Sequence, residues 1–287
     1  MASTVFEQSK LPITLIEKLD KVSVFQTAAF TEVSFKNADV DTESSTSYGD
    51  FNLGLHVNDD PTSVLANRMQ LLAAINQTLN KNNQPLINQL FWLNQVHGNQ
   101  VFQVKTSHLG MIPPNADAQI SDEAGTGLAI MTADCVPIVL YQPESNKIAA
   151  IHAGWQGLAC GVIKETVKQL SDTPIIAWIG VAISQDNYEV GSEVLAQLKL
   201  ACQNEQLVAQ PNLADFDDRY AKKSRTDKVF INLPKLAFDQ LTAQGIRVQS
   251  MANACSYGDA KFYSYRRQSH QHQSATGRMA LVIVRHD

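Results

Sequence analysis

Four cysteines in 287 residues (Cys135, Cys160, Cys202 and Cys255) are too few and too scattered for a disulfide scaffold, so a reducing, cytoplasmic setting is the simplest expectation. Long apolar runs are missing too. No window approaches the ~18 residues of a membrane span, and the opening MASTVFEQSK lacks the apolar segment of a secretion signal. There is no basic excess either: a formal net charge of −5 and a pI of about 5.8 argue against a nucleic-acid or anionic-membrane surface. No internal repeat, low-complexity tract or linker interrupts the chain, which favours a single domain over residues 1–287.

What the chain does contain is an ordinary globular balance, 44% hydrophobic and 18% charged residues, ample for a sizeable core. Val22–Phe25 reads as a strand, and the polar stretch 31–50 as a poorly ordered surface loop. Asp60-Pro61 sets an N-cap before proline at the first helical position. The helix after it shows an apolar face of Val64, Leu65, Met69, Leu72, Ile75 and Leu79. Phe91–Val96 and Val101–Val104 flank His97-Gly98-Asn99-Gln100 and predict a hairpin with His97 at its shoulder. Residues 107–126 read as loop.

The stretch Gly127–Gly161 carries the strongest pattern. Leu128–Met131 reads as a strand, Thr132-Ala133-Asp134-Cys135 as a polar corner and Val136–Tyr141 as a second strand. Pro143-Glu144-Ser145-Asn146 is a turn, and Ile148–Ile151 returns to end on His152. A hairpin centred near Glu144–Ser145 puts Cys135 opposite a residue within about two positions of His152. Leu158, Val162, Thr166, Val167 and Leu170 then form one helix face, and Ile175–Val181 a strand. Ser192 caps a helix to about Ala201, and Asn232 caps another that ends at Gly245. Residues 203–228 are polar and peripheral; Ile246–Val248, Phe262–Tyr265 and Met279–Val284 finish as short strands.

Cys135, His152 and His97 make the sharpest constellation. Two imidazoles and a thiolate fill three of the four tetrahedral positions of zinc and leave one for water, whose pKa the metal lowers towards ~7. The same residues also read as a buried thiol with two hydrogen-bonded histidines. The intervals of 38 residues from His97 to Cys135 and 17 from Cys135 to His152 match no short zinc signature. A third reading is a Cys/His hydrolase, with Cys135 as nucleophile, His152 or His97 as base and Asp134 or Asn94 orienting it. His2Cys with Met131 nearby suggests a blue-copper centre. Seven histidines with one His-x-His pair (His270 and His272) are too few for a multicopper cluster. Gly154-Trp155-Gln156-Gly157 stands where strand becomes helix and reads as a tight corner or an anion-binding one. Trp155 is either core or a stacking surface for a purine, and Tyr265-Arg266-Arg267 with Arg278 brings late positive charge suited to phosphate.

Several of these motifs are familiar. Asn94-Gln95-Val96-His97-Gly98, Thr132-Ala133-Asp134-Cys135-Val136-Pro137 and His152-Ala153-Gly154-Trp155 closely resemble the YfiH/YlmD family. So do Phe51-Asn52-Leu53-Gly54, Tyr188-Glu189-Val190-Gly191, Tyr263-Ser264-Tyr265-Arg266-Arg267 and Thr276-Gly277-Arg278-Met279. Members are called laccase-domain or polyphenol oxidase proteins, and some peptidoglycan-editing factors. The resemblance, in order from about residue 22 onward, implies an α/β fold with α-β-β-α layers in a single domain, shared with a class of cysteine hydrolases. It implies zinc on His97, Cys135 and His152, with copper the lesser alternative. Cys135, Asp134 and His152 would carry catalysis, with Trp155, Asn52, Arg266 and Arg267 on the substrate side. The implied activity is phosphorolysis of adenosine, inosine and methylthioadenosine to free base and ribose 1-phosphate, with adenosine deamination. Purine nucleoside and phosphate are then the partners, and no obligate protein partner is evident. The alternatives are a metal-free Cys/His hydrolase or amidase, and a non-catalytic nucleoside-binding member. Departures from the family pattern stand at Ala29 and Gln156, each where an arginine is usual, in the run Thr27–Ser34 without its two glycines, and in Gly180-Val181-Ala182-Ile183-Ser184 in place of Gly-Pro-Ala-Ile-Gly.

Overall fold

Strands with apolar residues on both faces dictate a layered architecture, because each face has to be covered. The computed structural model describes residues 11–31, 48–108 and 112–287, and the loop expected over 31–50 lies mostly outside them. In chain order the strands are β1 (Ile13–Lys18), β2 (Val22–Thr27), β3 (Gln89–Phe91), β4 (Val101–Gln103), β5 (Ala118–Ser121), β6 (Thr126–Thr132) and β7 (Val136–Gln142). Then come β8 (Lys147–Ala153), β9 (Ile176–Ile179), β10 (Glu189–Gly191), β11 (Ala221–Lys223), β12 (Lys228–Ile231), β13 (Arg247–Met251) and β14 (Met279–Arg285). They form a five-stranded sheet in the order β1-β2-β14-β6-β3 and a six-stranded sheet in the order β13-β9-β7-β8-β5-β4. A smaller sheet, β10-β12-β11, lies to one side.

Period-two alternation assigns every face. Leu128 and Ile130 of β6 and Leu281 and Ile283 of β14 point between the two large sheets, against Val139 and Tyr141 of β7 and Ile148 and Ala150 of β8. Ala129, Ala280, Val282 and Val284 point the other way, onto Leu71, Ile75 and Leu79 of the Pro61–Lys81 helix. Ile138, Leu140, Ala149 and Ile151 likewise meet Ile163, Leu198, Leu236 and Leu241 of the helices Val162–Val167, Ser192–Glu205 and Leu233–Ala243. Helix, sheet, sheet, helix is therefore the order of the layers. Among the described residues no helix is long and apolar enough to cross a membrane.

Several local expectations hold. Asp60 accepts the N–H groups of Thr62 and Ser63 at the start of the long helix. Asn232 accepts that of Lys235 at 3.0 Å, and its helix stops before Gly245, which takes φ +74. Asn232→Ala is expected to cost about 1 kcal/mol, read as a lower urea midpoint at unchanged slope.

Others are overturned. The helix after Asp60 buries Val64, Leu71, Ile75 and Leu79 while Leu65 and Met69 stay exposed, so the buried stripe is rotated and Arg68 lies along it. Phe91–Val96 and Val101–Val104 form no hairpin: β3 pairs with β6 in one sheet and β4 with β5 in the other. Residues 107–126 are not all loop, since Ala118–Ser121 is a fully buried strand whose alternation was too short to register. The face from Leu158 to Leu170 is broken at Gly161 into two short helices. Gly191, not Ser192, is the N-cap of the Ser192–Glu205 helix. Phe262–Tyr265 is no strand, for Ser264 caps a helix beginning at Tyr265. The peripheral stretch after 203 plants Leu207, Phe216 and Tyr220 in the core.

Candidate metal centre

Two connections cross from the five-stranded to the six-stranded sheet, and the candidate site forms where they meet. One joins β3 to β4 and carries His97; the other is the corner Thr132–Cys135 between β6 and β7. The β7–β8 hairpin has the expected register, with Gln142 opposite Lys147 and Pro137 opposite His152. Cys135 therefore starts two positions before the partner of His152. Its Sγ lies 3.9 Å from His97 Nε2, and donor atoms of His97, Cys135 and His152 all fall within 4.8 Å of one another. The two imidazoles meet edge to face, centroids 4.7 Å apart at 83°. Gly154 makes this approach possible, because a Cβ there would sit 3.1 Å from Cys135 Sγ and 3.2 Å from His97 Cδ2.

Asp117, which the sequence reading passed over, ties these parts together. Its carboxylate, fully buried at the head of β5, accepts the backbone N–H groups of His97 at 2.9 Å, Gly98 at 2.6 Å and Val96 at 3.3 Å. It also bonds His152 Nδ1 at 2.8 Å. One side chain thus pins the His97 loop and orients the His152 ring. The His97 backbone needs such a clamp, because it is held at φ +63. Asp134 is held at φ +103, its carboxylate accepting Ser256 Oγ at 2.6 Å and the Arg266 N–H at 2.7 Å.

The electrostatics follow from this packing. Burial would raise the Cys135 thiol, but His152 and His97 outweigh it and bring its pKa to about 6. Burial would lower His152, yet the Cys135 charge and Asp117 lift it to about 9. Burial would also raise Asp117; the bonds from His152 and from the Gly98 and His97 N–H groups hold it below the usual carboxylate range. Both shifts favour a thiolate beside an imidazolium when no metal is bound.

The donor set fits a tetrahedral ion. Zinc needs S and N donors about 3.3–3.6 Å apart, given bonds of about 2.3 and 2.0 Å, so a small closure of the observed spacing suffices. The Asp117–His152 Nδ1 bond leaves Nε2 as the nitrogen that would hold an ion, the usual carboxylate support of a metal-bound imidazole. Met131 Sδ, the thioether a blue-copper site would recruit, is engaged by Arg68 Nη2 at 3.5 Å.

The triad forms the floor of a cavity of about 560 Å³, within the range of small-molecule sites. Trp155, Tyr188 and Tyr265 supply aromatic walls, and His56, Arg266 and Arg278 line it as well. Burial raises the Tyr188 hydroxyl and keeps it protonated. Cys135, Asp134, His152, His97, Trp155 and Arg266 thus come together around one hollow. Asn52 and Arg267 stand behind it. Asn52 is buried, accepting from the Gly54 and Arg278 N–H groups and donating to Asp59. Arg267 donates to the carbonyls of Ser256, Tyr257, Asp259 and Phe262. Gln156 lines the cavity, whereas Ala29 is buried with Val181, Tyr263 and Met279. His56 carried no sequence signal beyond its neighbourhood to Phe51–Gly54.

The chain is similar to several known proteins. The family model for multi-copper polyphenol oxidoreductase laccase matches residues 38–286. The purine nucleoside phosphorylase YfiH of Escherichia coli K12 is 36% identical over 239 residues, spanning 82% of this chain and 86% of its own. A purine nucleoside phosphorylase of Haemophilus influenzae is 33% identical over 239 residues, 82% of this chain and 87% of its own. A DUF152 protein of Neisseria meningitidis superposes with a TM-score of 0.73 at 28% identity, covering 96% of this chain and 100% of that one. YlmD of Geobacillus stearothermophilus does so with a TM-score of 0.71 at 26% identity, covering 93% of each. With the family model matched over most of its length, this chain belongs to the laccase-domain family in which the YfiH and YlmD proteins stand.

Proposed function

We propose that the chain is a zinc-dependent purine nucleoside enzyme that phosphorolyses adenosine, inosine or methylthioadenosine and deaminates adenosine. The supporting observation is the Cys135–His152–His97 group, backed by Asp117, on the floor of an aromatic-walled cavity of nucleoside size. The relatives' names, purine nucleoside phosphorylase, support the phosphorolysis part of this reading. Among the described residues one such donor group is found, which accords with a single ion rather than a copper cluster. Zinc, when bound, supplies Lewis acidity and a water acidified towards about pKa 7.

The rest falls to the chain's own residues. His97, Cys135 and His152 hold the ion, and Asp117 fixes the tautomer of His152. Trp155, with Tyr188 and Tyr265, offers faces for the purine. Asp134, its carboxylate already engaged by Ser256 and the Arg266 N–H, serves to orient the corner and what binds against it. The test is incubation of zinc-loaded protein with adenosine and phosphate, followed by chromatography for adenine, inosine and hypoxanthine. Absence of all three products would sink the reading.

A second reading, a metal-free cysteine hydrolase, is favoured by the lowered Cys135 thiol. It predicts turnover of an amide or ester substrate that chelators leave unchanged.

A further inference from the structure

The donors His97, Cys135 and His152 stand on three different segments, and a triangle keeps its shape only when all three sides are fixed. The β7–β8 hairpin fixes the side from Cys135 to His152. Asp117 fixes the side from His97 to His152. The third side, from His97 to Cys135, joins the two connections that cross between the sheets.

Gln95 spans that side. Its Nε2 donates to Met131 O at 2.7 Å, and its Oε1 accepts the Met131 N–H at 2.9 Å. Gln95 stands two residues before His97, and Met131 four before Cys135. Backbone pairing of β3 with β6 ends at Phe91 opposite Leu128. Beyond it the strands diverge, and a side-chain amide, with the donor and acceptor of a peptide group, continues the ladder. Met131 is buried within β6 and paired with Ala280 of β14, so the amide is held by a rigid strand.

The neighbouring anchors of the His97 loop point elsewhere. Asn94 bonds Pro114 O and Asn115, and the N–H groups of Val96, His97 and Gly98 all bond Asp117, so these tie the loop to the chain at β5. Among the described residues, the Gln95–Met131 pair is the one set of hydrogen bonds between 92–100 and 129–135 besides the contact of Cys135 with His97 itself.

We propose that Gln95 is a positioning residue for the metal centre, which through Met131 sets the spacing of His97 and Cys135 and so the affinity of the site for zinc. The assignment rests on the reading of His97, Cys135 and His152 as metal ligands. Binding constellations need their groups held to within about 0.5 Å; without the amide, Cys135 keeps its strand while the His97 loop is braced from one sheet only. Gln95 also lines the cavity, which makes direct contact with substrate the competing role.

Zinc affinity is measured by competition with a fluorescent chelator, and cobalt(II) in place of zinc gives a visible spectrum sensitive to the arrangement of the donors. Gln95→Met keeps the length of the side chain without its amide. It is expected to weaken zinc about 10-fold or more and to alter the cobalt bands. Gln95→Asn carries the amide on a stem one carbon shorter and should behave in the same way; it decides the matter if Gln95→Met does not fold. Gln142→Met is the control. Gln142 Nε2 likewise donates to backbone carbonyls, Ser171 O at 2.6 Å and Thr173 O at 3.2 Å, but at the end of β7 remote from Cys135. Its loss should lower the urea midpoint and leave zinc affinity and the cobalt spectrum as in wild type.

Wild-type zinc affinity and cobalt bands in the Gln95 variants overturn the proposal, whatever happens to the urea midpoint. So does an equal loss of zinc affinity in Gln142→Met, which reduces Gln95 to general stability. A raised KM for adenosine at unchanged zinc affinity marks a substrate contact and overturns it too. A wild type that binds neither zinc nor cobalt removes the metal reading and the proposal with it. Zinc affinity that depends on Gln95 in a protein that turns over no nucleoside supports the proposal and removes the nucleoside reading alone.

Discussion

Replacing Asp117 with alanine is expected to destabilise the protein by about 3–5 kcal/mol, because it strands the buried His152 ring and leaves three backbone N–H groups without their acceptor. The carboxylate is fully buried and bonds the N–H groups of Val96, His97 and Gly98 together with His152 Nδ1. Asp117→Asn separates the two duties of the residue. It keeps the volume but lacks the charge, and metal affinity should fall about 10- to 100-fold, as for other supporting partners of metal-bound histidine. Zinc competition against a fluorescent chelator measures the second effect and urea denaturation the first. The folded carboxyl lies below its unfolded value, so its stabilisation is complete above the ordinary carboxylate range and is lost as acid protonates it. Acid sensitivity should therefore diminish in Asp117→Asn. Wild-type zinc affinity in both variants would rule out the bracing role.

The second large effect is expected at Cys135. Cys135→Ala should reduce bound zinc from one equivalent to near zero and lower nucleoside turnover by at least about 100-fold. Elemental analysis of protein prepared without added metal gives the first number, and product chromatography the second. Metal-free wild type provides an independent check. Its thiolate forms as pH rises through about 6, and the imidazolium beside it persists until about 9. Iodoacetamide should thus label Cys135 with a midpoint near pH 6, well below an ordinary thiol, and zinc should suppress the labelling. A midpoint near pH 8.5, or labelling indifferent to zinc, would contradict this view of the site.

How the site was legible differs from residue to residue. The turn at Pro143–Asn146 set the register of β7 and β8, and register follows from local turn chemistry, so the nearness of Cys135 to His152 was readable in advance. His97 was readable as a ligand type but not in its placement. Its flanking runs enter different sheets, and nothing local distinguishes a hairpin from a crossover when both strands are three residues long. Asp117 gave no sign. A single aspartate in a stretch that reads as loop acquires meaning only when the loop from Val96 to Gly98 folds over it. The arginines show the same limit. Arg267 and Arg278 are alike in sequence, and tertiary contacts alone commit one to four carbonyls and leave the other open to the cavity.

By itself the sequence determined the layering and the donor chemistry. Two-sided apolar strands must be covered on both faces, and one thiol with two imidazoles selects a small set of ions. Only the tertiary structure decided which charges are used up and which are available, because that depends on where backbone carbonyls and N–H groups converge from segments remote in the chain. Asp117 is the place where that convergence is plainest, its carboxylate joining Val96, His97, Gly98 and His152.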